Sequence, residues 1–492
     1  MKVNRWAALL APVLVMTTLV SSIISSLGAP LIPTIAKDFH DSLGTAQWSL
    51  TVGLLSGAVC APVMGRLGDG PRRRATIIGG LVVVTLGGVV AALAPGIVVL
   101  IIGRALQGVG LGLVPLAMAT ARDHMPRERV APMIGLLSVS AAAGVGAGYP
   151  ISGLIADGVG LSGAYWFGAI VSGVTLLCVA VVIPPSNSDS ERPPRLDSIG
   201  SVLLAMALIA VLIAVAQGAE WGWGSPAILG LLAVGLVLFA VWIPQQLHSQ
   251  APLVNLRLLR HPAVLTGDVC AMVLGIAMYM GLSAGTEFVQ HPRSGGFGFS
   301  ASVVVAGLIL IPLSAFMLLG SRALPTLVRY LGVRTLLTVG CLIVAASCVF
   351  FALFHGALWE SFVMMGILGI GLGTTYAAIP GLIVRSVPPS ETGSAMGFYQ
   401  VVRYVGFSLG SAVTASILTS HISSSTGQPA LVGYTTVFWA AAAICVVAAL
   451  LAWGVSVRGE QDQAHGSRLD DEEVRLLEQT EGEDLVVGGG EA

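Results

Sequence analysis

The chain has 492 residues, of which 55% are hydrophobic and only 10% charged, with a formal net charge of -1 and a mean hydropathy of +0.88. Soluble domains carry about 25% charged residues, so this chain lacks the polar surface of a soluble protein and reads as an all-α polytopic membrane protein. The near-neutral balance gives no reason to expect a nucleic-acid partner; the lipid bilayer is the expected surrounding.

From the N-terminus, Lys2 and Arg5 precede an apolar run. It is too long for a signal peptide, and no small-x-small cleavage site followed by a soluble domain comes after it, so it reads as the first span. A span needs about 20 apolar residues. Fourteen such runs are predicted, at 6–29, 47–64, 75–94, 97–120, 131–155, 164–183, 199–217, 226–244, 263–286, 300–320, 334–354, 359–382, 396–418 and 432–455. Between the second and third lies Gly65-Arg66-Leu67-Gly68-Asp69-Gly70-Pro71-Arg72-Arg73-Arg74. Its glycines and proline close a tight turn, which predicts that these two spans are antiparallel neighbours. With the N-terminus cytoplasmic, 20 of the 24 Lys and Arg residues fall in cytoplasmic segments and only Lys37 and Arg293 outside. That asymmetry sets the orientation, with both termini cytoplasmic. Residues 184–198 read as a polar linker, and the acidic, Gly-rich end reads as a disordered tail. All six cysteines lie inside apolar runs without metal-ligand spacing and are expected to fill space.

The chain repeats itself. Gly108-Val109-Gly110-Leu111-Gly112 resembles Gly369-Ile370-Gly371-Leu372-Gly373 at an offset of 261, and Gly70-x-Arg72 resembles Gly332-x-Arg334 at an offset of 262. Pro126-Arg127-Glu128-Arg129 matches Pro389-Ser390-Glu391-Thr392 at 263. Three offsets within two residues of one another imply two parallel six-span halves with two extra spans between them. The expected organisation is a six-helix bundle over 1–183, a linker and two extra helices over 184–262, a second bundle over 263–455, and the tail over 456–492.

Several motifs together resemble the major facilitator superfamily and, within it, the fourteen-span drug:proton antiporters. They are Gly65-x-x-x-Asp69 with Arg72, Arg73 and Arg74; Leu100 with Arg104-x-x-Gln107-Gly108-x-Gly110; Gly144-x-x-x-Gly148-Tyr149-Pro150-x-x-Gly153; Ile32-Pro33-Thr34-Ile35-Ala36; and Trp166-Phe167. The resemblance implies a major facilitator fold with a substrate site between the halves, and multidrug efflux driven by protons. It also implies an acid in the first span. Ile24 stands at that position, among the hydroxyls of Thr17, Thr18, Ser21, Ser22, Ser25 and Ser26.

Some residues inside the spans are out of place in lipid. A mid-bilayer arginine costs roughly 2.5–3.5 kcal/mol, so Arg104 must face the bundle interior or a wet cavity. It is either a cavity-facing cation sharing a face with Gln107, or a structural arginine satisfied by backbone carbonyls. Asp268 begins a helical stripe with Met272, Gly275, Tyr279, Ser283, Thr286 and Gln290. The stripe is expected to line a cavity where a carboxyl can take up and release protons; the other reading is an acid near the interface. Glu287 stands roughly 100° round from that stripe and is a second candidate, as a proton entry group or a plain loop acid. Arg403, beside Tyr399, Gln400 and Tyr404, is expected at the depth of Asp268. The two either pair in one state and part in another or form a static ion pair. Asp69 and Arg72 to Arg74, with Asp123 and Arg122, are expected to latch helix ends, unless they only set topology. Gly144, Gly148 and Gly153 are expected to allow close helix contact and bending near Pro150.

No phosphate loop of the GxxxxGK[ST] type and no histidine pair at ligand spacing is present in the sequence, so no enzyme, metal, cofactor or ATP chemistry is expected. The expected function is secondary active export of an amphipathic or cationic small organic molecule by alternating access, driven by a proton gradient. The alternatives are a proton-independent lipid or metabolite facilitator, or a membrane receptor that binds without transport. Two Lys against 22 Arg suggest a bacterial source, hence the bacterial inner membrane, and a monomer is expected.

Overall fold

The computed structural model describes residues 3–27, 31–41, 43–68, 72–183, 197–250, 252–293, 296–388, 391–423 and 428–453. Asp69, the linker over 184–196 and the expected tail fall outside them. The helices are α1 (Val3–Ser26), the short α2 (Ile32–Asp38), α3 (Leu43–Gly68), α4 (Arg73–Ala92), α5 (Ile97–Gly108) and α6 (Leu113–His124). They continue as α7 (Arg127–Val182), α8 (Ser198–Trp221), α9 (Pro226–His248), α10 (Pro262–Gln290), α11 (Val303–Leu308), α12 (Leu310–Leu353), α13 (Leu358–Arg385) and α14 (Thr392–Ser420), and end with α15 (Leu431–Trp453). Among the described residues, 13 helical runs are long and apolar enough to cross a membrane.

Two helices run far beyond a bilayer's thickness, and each doubles back at a glycine. Gly160 in α7 has φ 80 and Gly332 in α12 has φ 74, a conformation that a side chain at Cβ disfavours. The reversals show in the packing. Gly148 and Gly168 both lie against Ile23 to Leu27 of α1, although a straight α7 would hold them about 30 Å apart. Gly320 and Gly340 likewise both meet α13 between Ile370 and Thr375.

The helices pack in two sets. In the first, α1 and α4 pack on α7, and α3 and α4 pack on α5; in the second, α12 packs on α13, and α10 packs on α13 and α14. The sets meet along two seams, α3 against α14 and α7 against α12 and α13. The same glycines do the same work in each set: Gly108 meets Gly53 and Gly369 meets Leu313, while Gly110 meets Val84 and Gly371 meets Val344. Small residues let backbones approach where lipid gives no hydrophobic drive for association. α3 and α4 are in contact, as expected of neighbours, but α4 packs mainly on α5 and α7, because a short turn fixes order along the chain without fixing which faces pack.

α8 and α9 form a hairpin whose inner helix, α8, lies on α3 and α14. It is pinned at both ends. Asp197 caps α8 by accepting from the Gly200 amide at 2.8 Å and takes hydrogen bonds from Gln245 and Gln246 of α9 at 2.8 and 2.7 Å. At the other end Trp223 donates from Nε1 to Ser416 Oγ of α14 at 2.8 Å.

Candidate functional site

One end of the molecule is rich in arginine, and there the two sets are closed against each other. The Arg122 guanidinium at the end of α6 donates to the Val387 carbonyl at 3.0 Å and to the Thr392 hydroxyl. The connection between α9 and α10 is tied to the start of α14 at the same end: Asn255 donates to both Glu391 oxygens at 2.9 and 3.1 Å, and Ser394 to the Leu253 carbonyl at 2.7 Å. A Cβ built on Gly397 would stand 2.9 Å from the Ala61 carbonyl oxygen and 3.0 Å from Pro62 Cα, so α3 and α14 touch through bare backbone. Gly65 faces Gly393 and Gly397 in the same contact. Of the expected latch, Arg73 forms an ion pair with Asp123 and also donates to the carbonyls of Gly68 and Ala119. Arg74 donates to the Ala180 carbonyl at 2.7 Å, and Arg72 caps α4 through its backbone.

Toward the other end the seam between α3 and α14 parts. A cleft of about 690 Å³, counting its open mouth, lies between Leu50, Thr51, Leu54 and Leu55 of α3 and Tyr404, Phe407, Ser408 and Ser411 of α14. Tyr279 of α10 and Leu212 and Ala216 of α8 complete its walls. A smaller adjoining pocket shares Leu50, Leu54, Tyr279, Tyr404 and Phe407 and reaches Ser25 and Ser26 of α1 and Tyr149 of α7. Aromatic rings and hydroxyls line this space, and no charged side chain is among its lining residues.

The charges sit behind the wall. Arg403 is 1% exposed and enclosed by four rings: its guanidinium carbon is 5.4 Å from the Tyr376 centroid, 5.6 Å from Tyr399, 5.7 Å from Tyr404 and 5.8 Å from Phe407. Two of these rings, Tyr404 and Phe407, also face the cleft. Cation–π contacts contribute about 0.5–2 kcal/mol each, more when desolvated, and here they stand in for an anion, since Arg403 Nε and Nη1 have no hydrogen-bond partner. Asp268, 4% exposed, lacks a partner for either carboxyl oxygen.

The expected pair is therefore apart in this conformation. Among the described residues the one ion pair is Arg73 with Asp123. The reason is register. Where α10 crosses α14 the backbone of Arg403 lies against Gly275, about 10 Å along the helix from Asp268. Tyr399 shares a 3.1 Å hydrogen bond with Ser138 of α7, across the seam. Gln400 donates to the Tyr404 hydroxyl at 3.3 Å.

Of the stripe that begins at Asp268, Tyr279 alone is among the cleft-lining residues. Met272 gives its backbone to Gly406, and Ser283 is half-buried. Glu287 is exposed and accepts from the Tyr434 hydroxyl at 3.3 Å, away from the cleft.

Arg104 is tied to carbonyls. It donates to Ser49 at 3.1 Å, Ile24 at 2.8 Å and Ser25 at 2.8 Å, and to the Gln107 side-chain oxygen at 2.9 Å. Its position is the structural one, joining α1, α3 and α5 directly behind the pocket that Ser25 lines. Gly144 and Gly148 lie against Leu19 to Ser26 of α1, and Pro150 packs on Gly307 of α11. Nothing lies within 4 Å of a Cβ built on Gly153, so that glycine, although buried, is not part of the close backbone contact.

Residues 14–411 match the Major Facilitator Superfamily. The chain belongs to that superfamily. A tetracenomycin C resistance and export protein of Streptomyces glaucescens is 28% identical over 399 residues, covering 79% of this chain and 72% of the relative. The multidrug resistance protein Stp of Mycobacterium tuberculosis is 29% identical over 403 residues, covering 80% and 72%. The multidrug efflux pump LfrA of Mycolicibacterium smegmatis is 28% identical over 440 residues, covering 87% and 83%. The structure of human MFSD10, described as an organic anion transporter, superposes with a TM-score of 0.64 at 16% identity, covering 91% of this chain and 99% of that one, which shows the shared fold.

This major facilitator is thus a multi-pass membrane transporter of small molecules rather than an enzyme. Arg403 adjoins the cleft through Tyr404 and Phe407, which line it, and Asp268 is the buried carboxyl of α10. Phe407, Tyr376 and Ser138 are not among the residues that the sequence singles out. Phe407 follows Arg403 by one helical turn and had a local signal. Tyr376 and Ser138 lie in other helices and had none.

Proposed function

We propose that this chain exports apolar small molecules, neutral or carrying a delocalised positive charge, in exchange for protons, by rocking its halves over 1–183 and 263–455 about the cleft. The observation that carries this reading is the cleft, with Tyr279, Tyr404, Phe407 and leucines on its walls and no charge among them. Such walls favour apolar ligands fixed by few polar contacts, and ring faces attract soft cations. The names of the relatives (resistance, export, efflux) support the direction and the drug-like class.

Asp268 is the proposed proton carrier. An ionised carboxylate buried without donors costs several kcal/mol, while the neutral acid costs far less. When the Arg403 cage opens and the guanidinium approaches, the charged form gains a partner and the proton leaves. A tenfold proton gradient contributes about 1.4 kcal/mol, and each charge moved adds roughly 2.3 kcal/mol per 100 mV. No ATP is required.

The chain makes fourteen passes in this reading, the run Val304–Leu353 counting as two. Its arginine-rich end faces the cytoplasm of a bacterial cell and the open cleft faces outward. The site is complete within one chain, which suits a monomer.

Proteoliposomes loaded with the purified chain test this, with ethidium as the probe. An imposed pH gradient is expected to drive ethidium uphill. Asp268→Asn is expected to abolish uphill movement while downhill equilibration persists. A second reading, a facilitator without proton coupling, draws on Ile24 and on carbonyls, rather than an acid, partnering Arg104. Ethidium equilibration indifferent to the gradient in the unsubstituted chain selects it.

A further inference from the structure

The cleft between α3 and α14 has a third wall. α8 lies along the seam, pinned by Asp197 to α9 at one end and by Trp223 to Ser416 of α14 at the other. Leu212 and Ala216 stand one helical turn apart on it, and both line the cleft. α9 stands outside α8, and only 17% of its apolar run is buried within the fold, against 44% for α8. α8 thus lies between the cleft and α9, and Met206 and Val202, toward its Asp197 end and away from the cleft-lining turn, are exposed. Ala216 is exposed while lining the cleft, so its methyl leaves the mouth wide; a larger side chain there would project into the opening.

We propose that the extra hairpin is part of the substrate site: α8 closes the seam that α3 and α14 leave open, and Leu212 and Ala216 set the width of apolar substrate the cleft admits. This rests on reading the cleft as the transport site. The wall offers methyl and methylene groups alone, so it contacts the apolar body of a ligand. Hydroxyls are confined to the facing walls, at Thr51, Ser408, Ser411 and the tyrosines. Specificity for ligand girth then resides in α8 and specificity for polar substituents in the facing α3, α10 and α14.

Thiol labelling in native membrane vesicles tests this whatever the substrate. Single substitutions Ala216→Cys, Leu212→Cys, Ser411→Cys and Met206→Cys are treated with 2-aminoethyl methanethiosulfonate. Rates are read as the excess over the unsubstituted chain, whose six thiols are buried or half-buried. Ala216→Cys and Ser411→Cys are expected to react at least about tenfold faster than Met206→Cys, since thiolates form and react only where water reaches them. In a second arm Ala216→Trp is placed in the Ser411→Cys chain. The indole is expected to slow labelling of Ser411→Cys by fluorescein maleimide more than labelling by the small reagent, whereas Met206→Trp is expected to slow neither. Reaction at Ser411→Cys with none at Ala216→Cys or Leu212→Cys overturns the role of α8 and leaves the cleft standing. No reaction at any of the three removes the cleft reading itself. Equal reaction at Met206→Cys and Ala216→Cys shows α8 uniformly exposed and also overturns the proposal.

Discussion

Arg104 and Arg403 are both fully buried cations, and the fold satisfies them by opposite means. Arg104 spends its donors on the carbonyls of Ile24, Ser25 and Ser49 and on Gln107, so it acts as a strut between α1, α3 and α5. Arg403 has four ring faces and unpartnered donors, an arrangement that a carboxylate can displace. The difference predicts different mutational outcomes. Arg104→Ala removes the donor to the buried Ile24 and Ser25 carbonyls in the last turn of α1, at about 1–3 kcal/mol each. It is expected to lower the thermal midpoint in detergent clearly, with Arg104→Lys between it and the unsubstituted chain, because an ammonium cannot fork to three acceptors. Melting followed by light scattering checks the order. An Arg104→Ala chain melting with the parent removes the strut. That both arginines are buried was legible, since a charge inside an apolar run must turn inward. Their partners were not legible: carbonyls far away in sequence carry no side-chain signature, and the ring from Tyr376 arrives from another helix.

Along the elements, the closed end depends on bare backbone. α3 and α14 approach through Gly65, Gly393 and Gly397, and Arg122 then crosses to the carbonyl of Val387 and the hydroxyl of Thr392. A side chain at Gly397 leaves no room for that approach, because Pro62 Cα is 3.0 Å from where its Cβ would sit. Gly397→Leu is therefore expected to disfavour the conformation seen here by about 1–3 kcal/mol, as overpacking does elsewhere, and to populate one with the arginine-rich end open. Spin labels replacing Arg129 and Arg385 would report this as a longer distance distribution in Gly397→Leu; an unchanged distribution removes the seam from the switch. The shared glycine offset was readable in the chain because both halves need the same small residue where helices cross. The register of α10 on α14 was not, because helix depth counted from uncertain span edges errs by a turn or more, and that error placed Arg403 level with Asp268.

At the scale of the molecule, the number of passes and the placement of the ends are one question. The run Val304–Leu353 has 50 residues, which as a straight helix would extend about 75 Å, against roughly 30 Å of bilayer hydrocarbon. Gly332 breaks it, and residues on both sides of the break return to the same part of α13. Two passes there make the total even and put both ends of the chain on one side; a single pass makes it odd and puts them on opposite sides. The charge distribution, with arginines gathered at the end closed by Arg122, independently predicts a cytoplasmic placement of that side. In intact cells an N-terminal and a C-terminal epitope tag are both expected to stay hidden from antibody until the membrane is permeabilised. Over the same cells an impermeant maleimide is expected to label Ser420→Cys, which is exposed at the far end of α14, but not Arg129→Cys. One tag visible and one hidden selects an odd count. Both tags visible, with Arg129→Cys labelled, inverts the orientation and turns the outward cleft proposed for release into an inward one for loading.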